Sequence, residues 1–297
     1  NYIFEILNRY NFDDELTKKR VKSIELITNE YIDDYGTVQY KIYEIAENNA
    51  TLVISDDTLN YATDQASYIN NVLFSDSRFD DYNGNKYQDK TDLPFMPQKE
   101  AWKNVSEVLD KLGVDVSDDV ICYVMEHSIM CEEEKKAIAR AEEEDTKIPT
   151  AKTQWTEDDD CYYFMTYTTW QDYPVLPPVM GEGFDENNVS VIYDKNGIQS
   201  LSINGYYPLE LKNEVEVVSP EMVLKALEKY FGNIISDDIY EVQRISLCQK
   251  VVHVNPDKHS AEIEPVWECR VLVKNSDSPD SSYLQKIYFH AETLKVM

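Results

Sequence analysis

Residues 98–113, with the sequence QKEAWKNVSEVLDKLG, carry the clearest helix signal in the chain. The apolar residues recur three and four positions apart, so they fall on one face of an amphipathic helix: Trp102, Val105, Val108, Leu109 and Leu112. Gly113 suits the helix end, because glycine adopts a left-handed backbone there without strain. A strand is predicted soon afterwards, at residues 120–126 (VICYVME). Working outward from this helix and strand, we expect an α+β fold.

A second stretch, residues 219–232, repeats this order. Ser219 and Pro220 are typical of a helix start and Gly232 of a helix end, and the residues predicted to face inward are Val223, Leu224, Leu227 and Phe231. A shift of 119 residues pairs Val105 with Leu224, Val108 with Leu227 and Leu112 with Phe231, and it aligns SDDV at 117–120 with SDDI at 236–239. We therefore expect a structural duplication, in which each copy is an antiparallel sheet with a helix packed over it.

Strand patterns outside these segments place two domains in the chain. The strands are predicted at 38–45, 50–54, 161–170, 189–193, 198–203, 240–254, 261–273 and 283–291. The turn residues 194–197 (DKNG) predict a hairpin. Residues 131–145 read as a charged, solvated surface helix, and residues 146–150 (TKIPT) as a linker. The predicted domains are an N-terminal α+β domain, residues 1–148, and a β-rich α+β domain, residues 149–297.

Charge excludes several classes of partner. Asp plus Glu number 56 and Lys plus Arg 28, so the net charge is −28. Nucleic acid and anionic lipid are poor partners for such a chain, because both are bound through basic surfaces. No run of about 18 apolar residues appears, so no transmembrane segment is predicted. The chain begins at Asn1, and we expect a signal peptide or lipid anchor upstream, removed from this sequence.

Five cysteines stand at irregular spacing: Cys122, Cys131, Cys161, Cys248 and Cys269. An odd number without regular spacing is unlike a disulfide framework. The favoured interpretation is five small hydrophobic side chains in the core. The alternative of one oxidised pair among Cys161, Cys248 and Cys269 stays open, because all three lie in strand-like runs.

Motifs that bind phosphate or carry known catalysis are absent from the sequence: no P-loop, G-x-G-x-x-G, G-x-S-x-G or H-E-x-x-H occurs. Only eight glycines are present, so backbone cradles for phosphate are scarce. Zinc at Cys122, His127 and Cys131 lacks a second ligand pair of standard spacing. The oxygen-rich loop at residues 76–85 does not have the register of a calcium-binding EF-hand. We expect no cofactor, no metal and no catalytic residue.

The segment 155–173 holds most of the candidate binding residues. Its acidic run, Glu157–Asp160, is interpreted as a solvated turn, with a calcium site or paired-carboxylate catalysis as the alternatives. Its aromatic residues divide between core and recognition surface, since alternation puts Tyr163 and Tyr167 on one strand face and Tyr162 and Trp170 on the other. The candidate binding residues are Trp155, Asp159, Tyr163, Tyr167, Trp170, Tyr173 and, from a late strand, Trp267.

Three stretches carry a resemblance to a known type of protein: WTEDDDCYY at 155–163, VIYDKNGIQSLSI at 191–203 and EPVWEC at 264–269. In this order they resemble the extracytoplasmic domains of YycH/YycI-type regulatory proteins and uncharacterised lipoproteins of Gram-positive gut bacteria. Residues 97–126 also resemble small PepSY-like modules. The resemblance implies a surface-exposed, non-catalytic and regulatory protein, and it transfers no catalytic residue.

Two functional hypotheses follow. The first is an extracytoplasmic protein, membrane-anchored through its removed N-terminus, that binds a protein, peptide or cell-envelope component without chemistry. The alternative is a secreted hydrolase or carbohydrate-binding protein that uses the acidic and aromatic residues of 155–173.

Overall fold

The structure is a computed structural model of the chain. It describes residues 21–27, 32–33, 36–37, 40–45, 49–54, 58–70, 92–143, 145, 150–152, 154–176, 188–205, 209–234, 236–255, 260–274 and 282–297. The predicted linker at 146–149 and the oxygen-rich loop at 76–85 lie outside these residues.

The largest element of the described structure is an eight-stranded sheet in which every neighbouring pair is antiparallel. The strand order is β1-β4-β5-β6-β12-β11-β8-β7. The bounds are Val21–Ile27 (β1), Tyr40–Ile45 (β4), Ala50–Ile54 (β5), Leu59–Thr63 (β6), Ile121–Met125 (β7), Cys161–Thr166 (β8), Val189–Asp194 (β11) and Gly197–Ile203 (β12). Two short strands, Ile32–Asp33 (β2) and Gly36–Thr37 (β3), pair with each other.

Helices cover both faces of this sheet. Helix α2, Gln98–Leu112, buries Ala101, Val105, Leu109 and Leu112 against one face, and Tyr162 and Phe164 of β8 belong to the same core. The other face packs against α1, Asp64–Tyr68, and α3, His127–Glu143, with a core that includes Ala66, Met130, Trp155, Cys161 and Met165. A helix packed over the sheet is therefore observed as expected, and two further helices cover the opposite face, because the sheet is apolar on both faces.

The structure also corrects the prediction for helix α3. The sequence predicts a solvated helix at 131–145, but α3 buries Met130, Glu133, Glu134 and Ala141. Glu134 accepts hydrogen bonds from donors elsewhere in the chain, which the helical pattern does not reveal, and Glu133 pairs with Lys136 of the same helix.

The second sheet has five described strands in the order β15-β14-β13-β10-β9. Three long strands form an antiparallel meander: Ile239–Asn255 (β13), Ser260–Lys274 (β14) and Tyr283–His290 (β15). The strand Tyr173–Leu176 (β10) pairs in parallel with β13 and antiparallel with Thr169–Trp170 (β9). The predicted strand 161–170 is thus divided between two sheets.

Helix α4, Pro220–Gly232, packs on the meander and buries Val223 and Leu227 against Trp267, Cys269, Val271, Ile287 and Phe289. Leu224 was predicted to face inward, but its side chain is 42% exposed. The helix therefore turns a narrower apolar stripe to the sheet than the spacing suggests.

The chain divides into two compact units. The first comprises residues 1–168 and 179–207, and the second comprises residues 169–178 and 208–297. The predicted boundary at 148/149 lies inside the first unit, since β8 pairs with β7, β12 pairs with β6, and β11 lies between β8 and β12. Long-range strand pairing of this kind leaves no mark in local composition.

The α+β class is confirmed, with both sheets mainly antiparallel. The hairpin at 194–197 is confirmed as well, since Asp194 pairs with Gly197 where β11 turns into β12. The duplication stays a prediction. Within the described residues, we find no helix that is long and apolar enough to cross a membrane.

Candidate functional site

A cluster of buried acidic side chains lies on the α3 side of the first unit. It is built by α1, by the first half of α3, by residue 152 and by residues 154–160, which include a short 3₁₀ helix at Glu157–Asp159. We call it the acidic cluster; its carboxylates belong to Glu134, Asp159 and Asp160. All three are buried, and a buried carboxylate requires compensating donors.

Glu134 of α3 receives three hydrogen bonds. The Tyr68 hydroxyl donates to its Oε1 atom at 2.5 Å, the Lys152 backbone N–H donates to Oε1 at 2.8 Å, and the Trp155 indole Nε1 donates to Oε2 at 3.1 Å. Burial raises the pKa of the Tyr68 phenol, and the bond to Glu134 raises it further. Tyr68 therefore remains a donor at neutral pH, and Glu134 fastens residues 152–155 to α1 and α3.

Asp159 accepts hydrogen bonds from three residues, one of them a charged lysine. Gln65 Nε2 donates to Oδ1 at 3.0 Å, Lys152 Nζ pairs with the same oxygen, and Thr156 donates its backbone N–H to Oδ2 at 2.9 Å. Burial by itself raises the pKa of Asp159, but the hydrogen bonds from Lys152 and Thr156 outweigh it and leave the pKa below its usual value. Asp159 is therefore ionised at neutral pH, and it is not a proton donor.

Asp160 binds the start of α3. Its Oδ1 atom accepts the His127 backbone N–H at 2.6 Å and lies 2.8 Å from His127 Nδ1. The first turn of a helix has N–H groups without intrahelical acceptors, so a carboxylate there stabilises the helix. The hydrogen bond to Asp160 raises the pKa of His127, with further contributions from Glu157 and Glu126. The imidazole is the part of this pair that reaches solvent, since its side chain is 37% exposed and that of Asp160 5%.

These contacts correct the interpretation of Glu157–Asp160 as a solvated turn. Only the first half of the run fits it: Glu157 and Asp158 are exposed, and Asp158 forms a surface ion pair with Lys195. Among the described residues, no group of three or more His, Cys, Asp or Glu side chains is arranged to hold a metal ion. The arrangement fastens Lys152 and Trp155 to α1 and α3 and favours the protonated form of His127, and the ionised Asp159 carboxylate has hydrogen-bond donors on both of its oxygens.

The seven candidate binding residues are divided between the two units. Trp155, Asp159, Tyr163 and Tyr167 belong to the first unit, while Trp170, Tyr173 and Trp267 belong to the second. Trp155 and Tyr167 are buried, and Tyr163 lies half-buried with its ring stacked on Tyr123 at 6.4 Å. The expected division of Tyr162 and Tyr163 between opposite faces is observed, because they contribute to different cores.

In the second unit, Tyr173 is exposed and Trp170 is half-buried. Trp267 is buried under α4, and its indole Nε1 has no hydrogen-bond partner. Trp267 is therefore a core residue, and Tyr173 is the candidate with the most accessible ring.

All five cysteines are free thiols, so the alternative of an oxidised pair is not observed. Burial raises the pKa of Cys122, Cys248 and Cys269 to about 12 in each case. Thiols of this kind are protonated at neutral pH and unreactive, which fits the interpretation of cysteines as small hydrophobic side chains.

Sequence reasoning missed three members of the acidic cluster: Gln65, Glu134 and Lys152. One signal was present, since Met130, Glu134 and Ala141 lie at helical spacing and share a face of α3. A glutamate inside an apolar stripe indicates a buried charge with partners, and the sequence does not name those partners.

Comparison with known proteins gives a fold and no function. No protein-family model matches the chain, and no curated protein matches it. The chain is similar to the crystal structure of an uncharacterized protein from Eubacterium rectale ATCC 33656, with a TM-score of 0.66 and 18% sequence identity. The match covers 100% of this chain and 80% of that one. At this identity the likeness shows a shared fold alone.

Proposed function

We propose that the chain is a non-catalytic, extracytoplasmic protein that binds a partner of the cell envelope through its second unit. One observation carries the proposal. Each large hydrophobic side chain that is exposed in the described structure belongs to the second unit: Tyr173, Leu211, Val215, Val217, Met222, Leu224, Ile234, Ile239, Val242, Tyr283, Val296 and Met297. Exposed apolar side chains concentrated on one part of a monomer are typical of an interaction surface.

The resemblance to YycH/YycI-type domains and to lipoproteins of Gram-positive gut bacteria supports the same proposal. Such proteins act at the cell surface without chemistry, which agrees with an acidic cluster whose buried carboxylates accept hydrogen bonds from neighbouring residues. The alternative, a hydrolase or carbohydrate-binding protein using residues 155–173, has less support. Asp159 and Asp160 are buried and paired, and its aromatic residues are divided between the two units.

Binding is tested by comparing two variants that add the same charge. Met222→Asp with Ile239→Asp alters exposed apolar residues of the second unit, and Ser128→Asp with Ala151→Asp alters exposed residues of the first. In a quantitative pull-down from a cell-envelope fraction, we expect the first variant to lose a captured protein that the wild type and the second variant retain. Equal capture by both variants would contradict the proposal.

Location is tested by fractionating cells that express the full-length gene product and determining its mature N-terminus by mass spectrometry. A lipid-modified or signal-cleaved end supports the envelope assignment. An unprocessed product in the cytosol overturns it.

A further inference from the structure

Residues 209–217, LELKNEVEV, have the sequence of a strand but are not part of a sheet. Apolar residues occupy four of the five odd positions, namely Leu209, Leu211, Val215 and Val217, and charged residues occupy every even position. Alternation with a period of two is the pattern of a strand with one buried face. In the structure this segment forms no ladder, so its apolar face lacks the cover that the pattern predicts.

Exposure confirms that the apolar face is uncovered. The side chains of Leu211, Val215 and Val217 are 55%, 38% and 39% exposed, and every residue from 210 to 217 is in the exposed class. The segment lies between the end of β12 and the start of α4, and none of the described residues 209–219 belongs to a helix or strand.

The segment is held in place at two points. The Val218 N–H donates to the Ala291 carbonyl at 2.9 Å, just before α4 begins. Lys212 Nζ donates to Glu262 Oε1 at 2.5 Å. A tethered backbone loses less conformational entropy on binding than a free one, which favours association.

These observations lead us to propose that residues 209–217 bind an extended polypeptide segment of a basic partner by β-strand pairing. The inference rests on the proposed function and adds the binding mode and the partner's chemistry. In β-strand addition, main-chain hydrogen bonds supply affinity and alternate side chains supply specificity. In the described structure, the main-chain N–H and C=O groups of residues 209–217 form no ladder and the apolar side chains are exposed, so both are available to a partner strand.

The charge of this segment indicates that its partner is basic. Glu210, Glu214 and Glu216 project from the even positions, and Lys212 already pairs with Glu262. The whole chain adds a net charge of −28, which attracts cations at long range and disfavours a second copy of the same chain. A partner strand with apolar residues alternating with Lys or Arg would match both sides of the segment.

The probe is a blocked nine-residue peptide of alternating valine and lysine, VKVKVKVKV, and VEVEVEVEV is its control. We expect the lysine peptide to slow amide hydrogen exchange within residues 209–217, where no ladder protects the amides in the free protein, and the glutamate peptide to have no effect. Unchanged exchange at these residues with the lysine peptide would overturn the inference.

Two proline variants test strand pairing directly. Neighbouring N–H groups point to opposite edges of an extended strand, so one of Glu214→Pro and Val215→Pro removes an N–H that faces the partner. We expect one of the two variants to lose the protection while both keep the unfolding temperature of the wild type. Protection retained in both would contradict strand pairing.

Charge selection is tested by two triple variants that remove the same three charges. We expect Glu210→Gln with Glu214→Gln and Glu216→Gln to weaken lysine-peptide binding about tenfold, through three lost cross-strand charge pairs. The control, Glu100→Gln with Glu107→Gln and Asp110→Asn on the exposed side of α2, should change binding much less. Equal weakening would assign the peptide to diffuse charge attraction and overturn the inference, while the proposed function, judged by Met222 and Ile239 in the envelope pull-down, would stand.

Discussion

Asp158 and Asp159 are neighbours in sequence, yet their side chains lie in opposite environments. Asp159 is buried with donors from Gln65, Lys152 and Thr156, whereas Asp158 is exposed and pairs with Lys195 at the surface. Removing one partner of a buried ion pair leaves the other charge uncompensated. A surface ion pair is largely screened by solvent.

We therefore expect Asp159→Asn to lower the free energy of unfolding by about 2–3 kcal/mol, since an amide cannot replace a charged acceptor for Lys152 and Thr156. Asp158→Asn should lower it by only about 0–1 kcal/mol. Urea denaturation at pH 7 measures both. Equal losses of unfolding free energy in the two variants would contradict the buried, paired position of Asp159.

His127 makes stability depend on pH. Its folded pKa is raised by Asp160, so protonation favours the folded state. This contribution is complete below the unfolded pKa of about 6.5 and disappears as the pH rises through the higher folded pKa. We expect the stability difference between wild type and His127→Gln to shrink over that interval, in urea titrations at successive pH values. A difference independent of pH would contradict the His127–Asp160 contact.

At the scale of elements, helices α2 and α4 end differently although both end near a glycine. Gly113 caps α2 with a left-handed backbone, φ 71°, whereas Gly232 is the last helical residue of α4 and Asn233 is the cap. The buried positions reflect this difference. Val105 and Leu109 correspond to Val223 and Leu227 at a shift of 118 residues, not the 119 that aligns the glycines.

The two glycines should respond oppositely to alanine. Gly113→Ala places a Cβ in the left-handed region and should cost about 1–2 kcal/mol. Gly232→Ala should stabilise by about 0.5–1 kcal/mol, because the new Cβ meets no heavy atom within 4 Å and alanine favours the helix. Thermal unfolding of both variants checks the signs. Destabilisation by Gly232→Ala would mean that this glycine has a cap conformation after all.

The turn after each helix supports the repeated order. After both helices, a serine hydroxyl accepts the backbone N–H of the residue two positions later at 3.1 Å. Ser117 accepts from Asp119, and Ser236 accepts from Asp238. This local motif was readable from sequence because its donors and acceptors are neighbours along the chain. The face of each helix was readable to within one residue.

Contacts distant in sequence were not readable. Glu134 is satisfied by Tyr68, Lys152 and Trp155, which are 66, 18 and 21 residues away. The α3 pattern therefore resembled a solvated helix, although three donors compensate its buried charge. Likewise β12 pairs with β6 across more than a hundred residues, so no composition change marked the true division of the chain.

At the scale of the whole molecule, charge and apolar exposure are distributed differently. The chain has a net charge of −28, and its large hydrophobic side chains that are exposed in the described structure are confined to the second unit. Net charge keeps such a surface from self-association, so the second unit can present apolar side chains to a partner of opposite charge.

The division into units predicts how fragments fold. Residues 149–297 contain β8, β11 and β12 without their neighbours β7 and β6, and these strands would keep unpaired edges. Residues 208–297 contain α4, the β13–β15 meander and the whole of their shared core. We expect limited proteolysis of the 149–297 fragment to remove residues before about 208 and to leave a resistant product that unfolds cooperatively. A fragment resistant along its full length would instead place a folding boundary at 148/149. Complete digestion would show that the second sheet, with β9 and β10, does not fold without the first unit.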